Sequence, residues 1–433
     1  MPVKLPTPSF DIYRHALDNG LRVVISPDRS APVVGIAVLY DVGFRSEPEG
    51  RTGFAHLFEH LMFQGSVSLE KLEHFRYVES SGGMFNGSTH FDYTNYFEAL
   101  PSNALERGLF LEADRMRGPR ITEENLANQL DVVKNEIRVN VLNAPYGGFP
   151  WIYLPAVLFD TFANSHNGYG DFADLESATT DDARDFFQRY YAPGNAVLAV
   201  TGDVDVDETV ALIEKHFAGI RKRRTPKRPS FAEPALTAER RDTHHDPHAP
   251  IPAVAIGYRV PDPVGQLDEL LATLLLVEVL GEGDASRLQR RLVQQDGLVT
   301  DVSAYLGEFG DAFDERDPTA LTISARYPVT SKLKKILRAT DEELARVAED
   351  GLEPGELDRV RARLVSVLVR DLDAVISRAL EFAKFELLHG RAELIAELPA
   401  RLTAVGEAEV RKAAAALRPD NRAVLELVAG GAQ

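Results

Sequence analysis

"GFAHLFEHLMFQGS", residues 53–66, sets His56, Glu59 and His60 among Phe, Leu and Met. If residues 52–64 are helical, positions 56 and 60 stand one turn apart on one face with position 59 beside them. Phe54, Leu57, Phe58 and Leu61 cover much of the rest. Two neutral imidazoles at this spacing can both place a ring nitrogen about 2.0 to 2.1 Å from one zinc ion. The neighbouring glutamate can then act as general base toward an attacking water. The pattern is H-x-x-E-H, the reverse of H-E-x-x-H. The alternative is a helix with two satisfied core histidines and a solvated acid. Against it, the three groups share one face in an apolar setting, where unpaired charge is costly.

A catalytic zinc takes a third protein ligand and keeps an open position. The best candidate lies in "EENLANQLDVVKNEIRVNVLN", where Leu126, Leu130, Val133 and Ile137 form an apolar stripe and Glu136 stands at its edge. A carboxylate pointing coreward from there needs a cationic partner. A surface glutamate at the edge of the stripe is the other reading.

The rest of the chain limits the possibilities. Its 433 residues are 44% hydrophobic and 26% charged, enough for a large core and more than one domain. A net charge of −18 argues against a general affinity for nucleic acid or anionic membrane, and it equally serves solubility. With no cysteine, disulfides and thiolate metal sites are excluded, so any metal sits on His, Asp or Glu. No segment has the length of a membrane span, and "MPVKLPTPSFDIYRHALDNG" carries neither a signal-peptide core nor a transit-peptide composition. The expectation is a cytoplasmic protein.

Strand-like runs such as "VVGIAVLY" from Val33, "NAVLAVTGDV" from Asn195 and "RAVLELVAG" from Arg422 alternate with amphipathic helices, the pattern of an α+β protein. Helices are expected over 103–117, 124–142, 181–190, 207–217, 265–280 and across 354–389. A basic, Pro-rich stretch from Arg221 to Pro250 reads as the interdomain linker. Both halves open with an apolar strand before a long helix and close alike, with "YYAPGNAVLAV" or "LRPDNRAVLEL". This is a faint internal repeat. The division is 1–228 for an N-terminal metal-binding domain, 229–248 for the linker and 249–433 for a similar C-terminal domain. His244, His245 and His248 fall in a polar stretch that reads as solvated linker. "GEGDASRLQRR" lacks the Lys-Ser/Thr ending of a phosphate loop.

H-x-x-E-H followed by "VVKNEIR", with Glu136 76 positions after His60, resembles the M16 zinc metallopeptidases, the pitrilysin, insulysin and mitochondrial processing peptidase group. "SSGGMFNGSTHFDYTNYFEALP" is similar to that family's Gly-rich turn and edge strand, and "ATTDDARDFFQRYYAPGNAVLAVTGDVD" to its closing helix and strand. The length resembles the short, two-domain members. The resemblance implies two similar domains, each a mixed or antiparallel sheet packed with helices, together forming half of a clamshell. It implies zinc on His56, His60 and Glu136, Glu59 activating water, and an unfolded peptide or flexible leader added as a strand beside Asn86 and Gly87. The alternative for Asn86-Gly87 is a hairpin turn.

Two departures stand out. Many members have a glutamate two turns before the third ligand, where this chain has Gln129, an amide that can still orient a ligand. Members that contact substrate through the C-terminal domain carry an Arg seven residues before a Tyr. Here those positions fall on Val293 and Thr300, with Arg290, Arg291 and Tyr305 out of register. Such a pair steadies charge on the tetrahedral intermediate, worth about 3 to 4 kcal/mol per donor. The expectation is therefore a heterodimer rather than a homodimer, in which a homologous partner supplies the Arg/Tyr pair. The competing class is a non-catalytic core-type subunit of the same fold.

Overall fold

The computed structural model describes residues 8–430, which build two sheets with helices on their faces. The first sheet uses β1 (Tyr13–Ala16), β2 (Arg22–Pro27), β3 (Val33–Tyr40), β4 (Met84–Thr89), β5 (Thr94–Pro101) and β6 (Ala196–Gly202), in the order β1-β2-β6-β3-β5-β4. The second uses β7 (Arg240–Asp246), β8 (Ala253–Val260), β9 (Asp301–Leu306), β10 (Thr319–Arg326) and β11 (Arg422–Ala429), in the order β7-β11-β8-β10-β9. β2 runs parallel to β6 as β7 runs parallel to β11, and every other pairing is antiparallel. Setting β1 aside, the two sheets share one topology, so the repeat faint in sequence is plain in strand order.

That repeat corrects the expected linker. Residues 240–246 are not connector but the counterpart of β2, and His244 and His245 lie in strand β7 opposite Leu427 and Val428. The His244 ring stacks on Tyr153 at 3.9 Å. The strand was illegible because "RRDTHHD" is an edge strand with polar residues on both faces. The expected helical run 354–389 is two helices, Glu356–Asp371 and Val375–His389, broken at residues 372–374.

The helices near the candidate residues are α1 (Phe54–Leu61), α2 (Glu73–Ser80), α3 (Leu105–Arg117), α4 (Glu123–Ile137) and α5 (Leu154–Leu158). α1 is shorter than the expected 52–64, and α4 ends where a π-helical turn, Arg138–Leu142, takes over. Thr122 caps α4 by accepting a hydrogen bond from Asn125 N–H. Leu57 and Leu61 of α1 share a core with Leu126, Val133 and Ile137 of α4, which fixes the two helices against each other.

The halves exchange helices. Val375–His389, from the second half, lies on β3 and β6 of the first sheet, with Phe382 and Phe385 fully buried. Gly35 permits that approach, since a Cβ there would sit 2.9 Å from the Val375 carbonyl oxygen. Thr201 Oγ1 donates to the same carbonyl at 2.7 Å. In return Leu154 and Leu158 of α5 pack on Ala255, Ala320 and Ala423 of the second sheet. Among the described residues no helix is long and apolar enough to cross a membrane.

Ion pairs and a backbone hydrogen bond gather around the β4–β5 hairpin and reach the second half. Buried Asp92 accepts from Arg45 Nη1 at 2.5 Å, from Arg228, and from the Arg316 N–H at 2.7 Å. Burial raises the Asp92 carboxyl, but the Arg45 and Arg228 charges outweigh it and hold the pKa at about 2. An unfolded aspartate titrates near about 3.9, so this stabilisation is complete above that pH and is lost as pH falls toward the folded value. Urea unfolding should therefore show stability dropping between about pH 4 and pH 2, by up to about 2.5 kcal/mol from this group. Asp92→Asn should remove that part of the slope; an unchanged acid limb would show that Asp92 is not its source.

Candidate metal centre

α1 begins under unusual constraint. Gly53 has φ +81°, and a Cβ there would lie 2.6 Å from the Tyr169 carbonyl oxygen, so only glycine lets the 160s loop cross the helix start. Buried Glu47 accepts from Gly53 N–H at 3.0 Å and Ala55 N–H at 2.7 Å, placing negative charge at the helix N-terminus. The loop passing over Gly53 delivers the Tyr169 ring to 4.9 Å from the His56 ring.

α1 and α4 bring three donors together. His56 Nε2 and His60 Nε2 are 3.3 Å apart, and Glu136 Oε2 lies 3.5 Å from His60 Nε2 and 3.8 Å from His56 Nε2. Atoms so spaced are each about 2 Å from their common centre, the length of Zn–N and Zn–O bonds. Two imidazole nitrogens and one carboxylate oxygen also form a donor set that catalytic zinc accepts. The chemistry and spacing of these residues fit the ion.

Neighbouring groups orient the donors. Gln129 Oε1 lies 3.3 Å from His60 Nδ1, which suits a proton on Nδ1 and turns Nε2 inward. Tyr169 O–H donates to Glu136 Oε1 at 3.1 Å, leaving Oε2 toward the histidines. His56 Nδ1 is buried without a partner. Burial, with His60 second, pushes the His56 pKa down to about 4 against the pull of Glu136, so His56 is held neutral, as a ligand must be. The His60 contact also holds Glu136 below the usual carboxylate range, and against the lowering effect of burial the Glu136 contact raises the His60 pKa, so a proton on His60 Nε2 is what a cation at this centre would displace.

Glu59 stands apart from these three. Its Oε2 accepts from Thr89 Oγ1 at 2.7 Å, and no protein group donates to Oε1 among the described residues. Burial raises its pKa despite the Thr89 hydrogen bond, moving it toward the range of a working base. His56 and Glu59 open onto a cavity of about 540 Å³. Trp151 and Tyr169 form part of its wall, and Tyr305, Glu308 and Phe309 enter from the second half.

Asn86 and Gly87 are mid-strand in β4, opposite Phe97 and Tyr96 of β5, so the hairpin-turn alternative does not hold. The chain reverses later, where His90 N–H bonds the Tyr93 carbonyl at 2.8 Å. β4 is the outer strand of its sheet, and Gly87, Ser88 and Thr89 line the cavity. Val293 packs into the second-half core, and Thr300 Oγ1 donates to the Arg326 carbonyl at 3.0 Å. Arg290 pairs with Glu353 and Arg291 with Glu342. Tyr305, out of register in sequence, is the member of that group that reaches the cavity. Tyr169 and Thr89 carried no motif; the residues they serve lie 33 and 30 positions away.

Residues 22–146 match the pattern described as "Insulinase (Peptidase family M16)", and residues 177–364 the one described as "Peptidase M16 inactive domain". The chain belongs to the M16 peptidase family. It is 28% identical over 373 residues to the zinc protease PqqE of Helicobacter pylori, covering 85% of this chain and 82% of that one. A protease from Helicobacter pylori of known structure superposes with a TM-score of 0.88 at 25% identity, over 97% of this chain and all of the other. The periplasmic protease PqqL from Escherichia coli shares the fold at TM-score 0.77 and 19% identity; 98% of this M16 chain is covered but only 48% of PqqL.

If the Tyr169 and Gln129 contacts orient ligands, Tyr169→Phe and Gln129→Ala should each weaken zinc binding about 10- to 100-fold in a chelator competition. Unchanged affinity in both would remove them from that role.

Proposed function

We propose that this M16 chain is a zinc endopeptidase subunit that cleaves unfolded peptides or flexible leader segments. The observation that carries the reading is the 3.3 to 3.8 Å triangle of His56 Nε2, His60 Nε2 and Glu136 Oε2 beside a base bonded through only one oxygen. In this reading His56, His60 and Glu136 hold zinc. The bound ion supplies Lewis-acid polarisation of the scissile carbonyl and acidifies water.

The chain's own groups do the rest. Glu59 takes the proton of the attacking water on Oε1, while Thr89 holds Oε2 in place. It returns that proton to the departing amine. The free edge of β4 at Asn86 and Gly87 accepts the peptide as an added strand, and main-chain hydrogen bonds give broad sequence tolerance. Folded substrates are excluded because only an extended segment can pair with that edge.

The heterodimer is part of the proposal. Val293 and Thr300 leave the carbonyl without the Arg/Tyr pair, and a homologous M16 partner closing over the site would supply it. PqqL, which is about twice as long as this chain, supports pairing of halves as an arrangement open to the fold. The name "inactive domain" for the second matching region supports a different reading, a peptide-binding subunit without turnover.

Two measurements separate these readings. Glu59→Gln should keep its zinc by elemental analysis while cleavage of a quenched peptide falls about 10²- to 10⁴-fold. Retained turnover would remove Glu59 from the mechanism, and a folded wild type holding no zinc would favour the binding subunit. The chain alone should be slower than the chain mixed with a homologous subunit carrying the Arg/Tyr pair, by about 10²-fold or more. Full activity alone would defeat the heterodimer.

A further inference from the structure

A second cluster of side chains of metal-ligating type lies behind β4, none of them among the residues lining the cavity. His74 of α2, Glu98 of β5 and Glu112 of α3 are all buried, and one donor atom from each falls within 4.8 Å of the others. His74 Nε2, both Glu98 oxygens and Glu112 Oε2 have no hydrogen-bond partner. Each such orphan inside a protein calls for an occupant, since leaving it bare costs about 1 to 3 kcal/mol, more when charged.

Arg115 does not fill the need. Its Nη2 donates to Glu112 Oε1, and its guanidinium lies over the Tyr96 and Phe63 rings, with centroids 4.3 and 5.0 Å away. Its Nε and Nη1 have no partner. Among the described residues the one basic nitrogen within 4.0 Å of Glu98 is His74 Nε2, at 4.0 Å. Two carboxylates against one guanidinium leave one carboxyl that must take up a cation or a proton.

We infer that His74, Glu98 and Glu112 bind a second divalent transition-metal ion, structural in role and separate from the His56–His60–Glu136 set. An imidazole beside two carboxylates selects Mn²⁺, Fe²⁺ or Zn²⁺ over Ca²⁺ and Mg²⁺, which take oxygen ligands. His74 Nε2 and Glu98 Oε2 are 4.0 Å apart, a separation one ion can span, and Mn²⁺, which accepts carboxylates alongside imidazole, is the first probe because it is told apart from zinc in the front set. Such an ion ties α2 to β5 and α3. The His74 ring lies 5.8 Å from that of Phe85 on β4, so the tie lies under the strand offered to substrate. The competing occupant is a proton. Burial and the neighbouring Glu112 push the Glu98 carboxyl well above its usual range, so metal uptake displaces that proton and is weakened by acid.

Metal content by elemental analysis after growth in Mn²⁺- and Zn²⁺-supplemented medium tests this. Wild type should hold two equivalents, His60→Ala one, and Glu98→Gln or His74→Leu one. His60→Ala, stripped with EDTA, should melt several degrees higher when MnCl2 is restored, and the His60→Ala/Glu98→Gln double variant should not. Wild-type metal content in folded Glu98→Gln and His74→Leu overturns the inference, leaving the proton as occupant. So does a metal-free His60→Ala, which needs neither core variant to fold. If instead the front site fails to hold zinc, wild type and His60→Ala both show one equivalent and Glu98→Gln none.

Discussion

Two imidazole nitrogens 3.3 Å apart, facing a carboxylate oxygen across a helix–helix contact, are the constraint around which the first half is arranged. The apolar side chains shared by α1 and α4 hold the helices close enough for the three donors to converge. Glu47 at the start of α1, glycine at position 53 and the Tyr169 loop that crosses it all serve the same placement. Burial keeps His56 neutral and the His60 contact keeps Glu136 ionised, two of the three protonation states a cation would require, while the raised His60 would give up a proton on binding.

The parts legible in the sequence were those encoded locally. His56, Glu59 and His60 fall within five consecutive residues, so helical periodicity alone put them on one face. Glu136 was harder: the edge of an apolar stripe is ambiguous until the partner helix is known, and only the family resemblance narrowed the choice. Residues acting across the fold were silent. Tyr169, Thr89 and Phe309 meet the site from three different loops and strands, and nothing in their neighbours marks them.

Edge strands are where local preference and structure part. β7 has no buried face to impose alternation, and so passed for linker. β4 contains Asn-Gly, a strong turn pair, yet runs straight through it because pairing with β5 continues on one side. In both, long-range pairing overrides local preference, a rule for strands that pack on one side only. The break at residues 372–374 is a separate case: one expected helix becomes two, and the second packs on the other sheet.

The crossing of Val375–His389 onto the first sheet, with α5 crossing the other way, bears on motion. Separating the halves would bare Phe382, Phe385, Leu154 and Leu158 together and break the Asp92 cluster, a cost that opposes their parting. The same packing opposes opening of the cavity by a hinge at residues 221–239. If the chain pairs with a second subunit as proposed, a long peptide would enter and leave as one whole shell swings against the other, and the contact between subunits would then govern access.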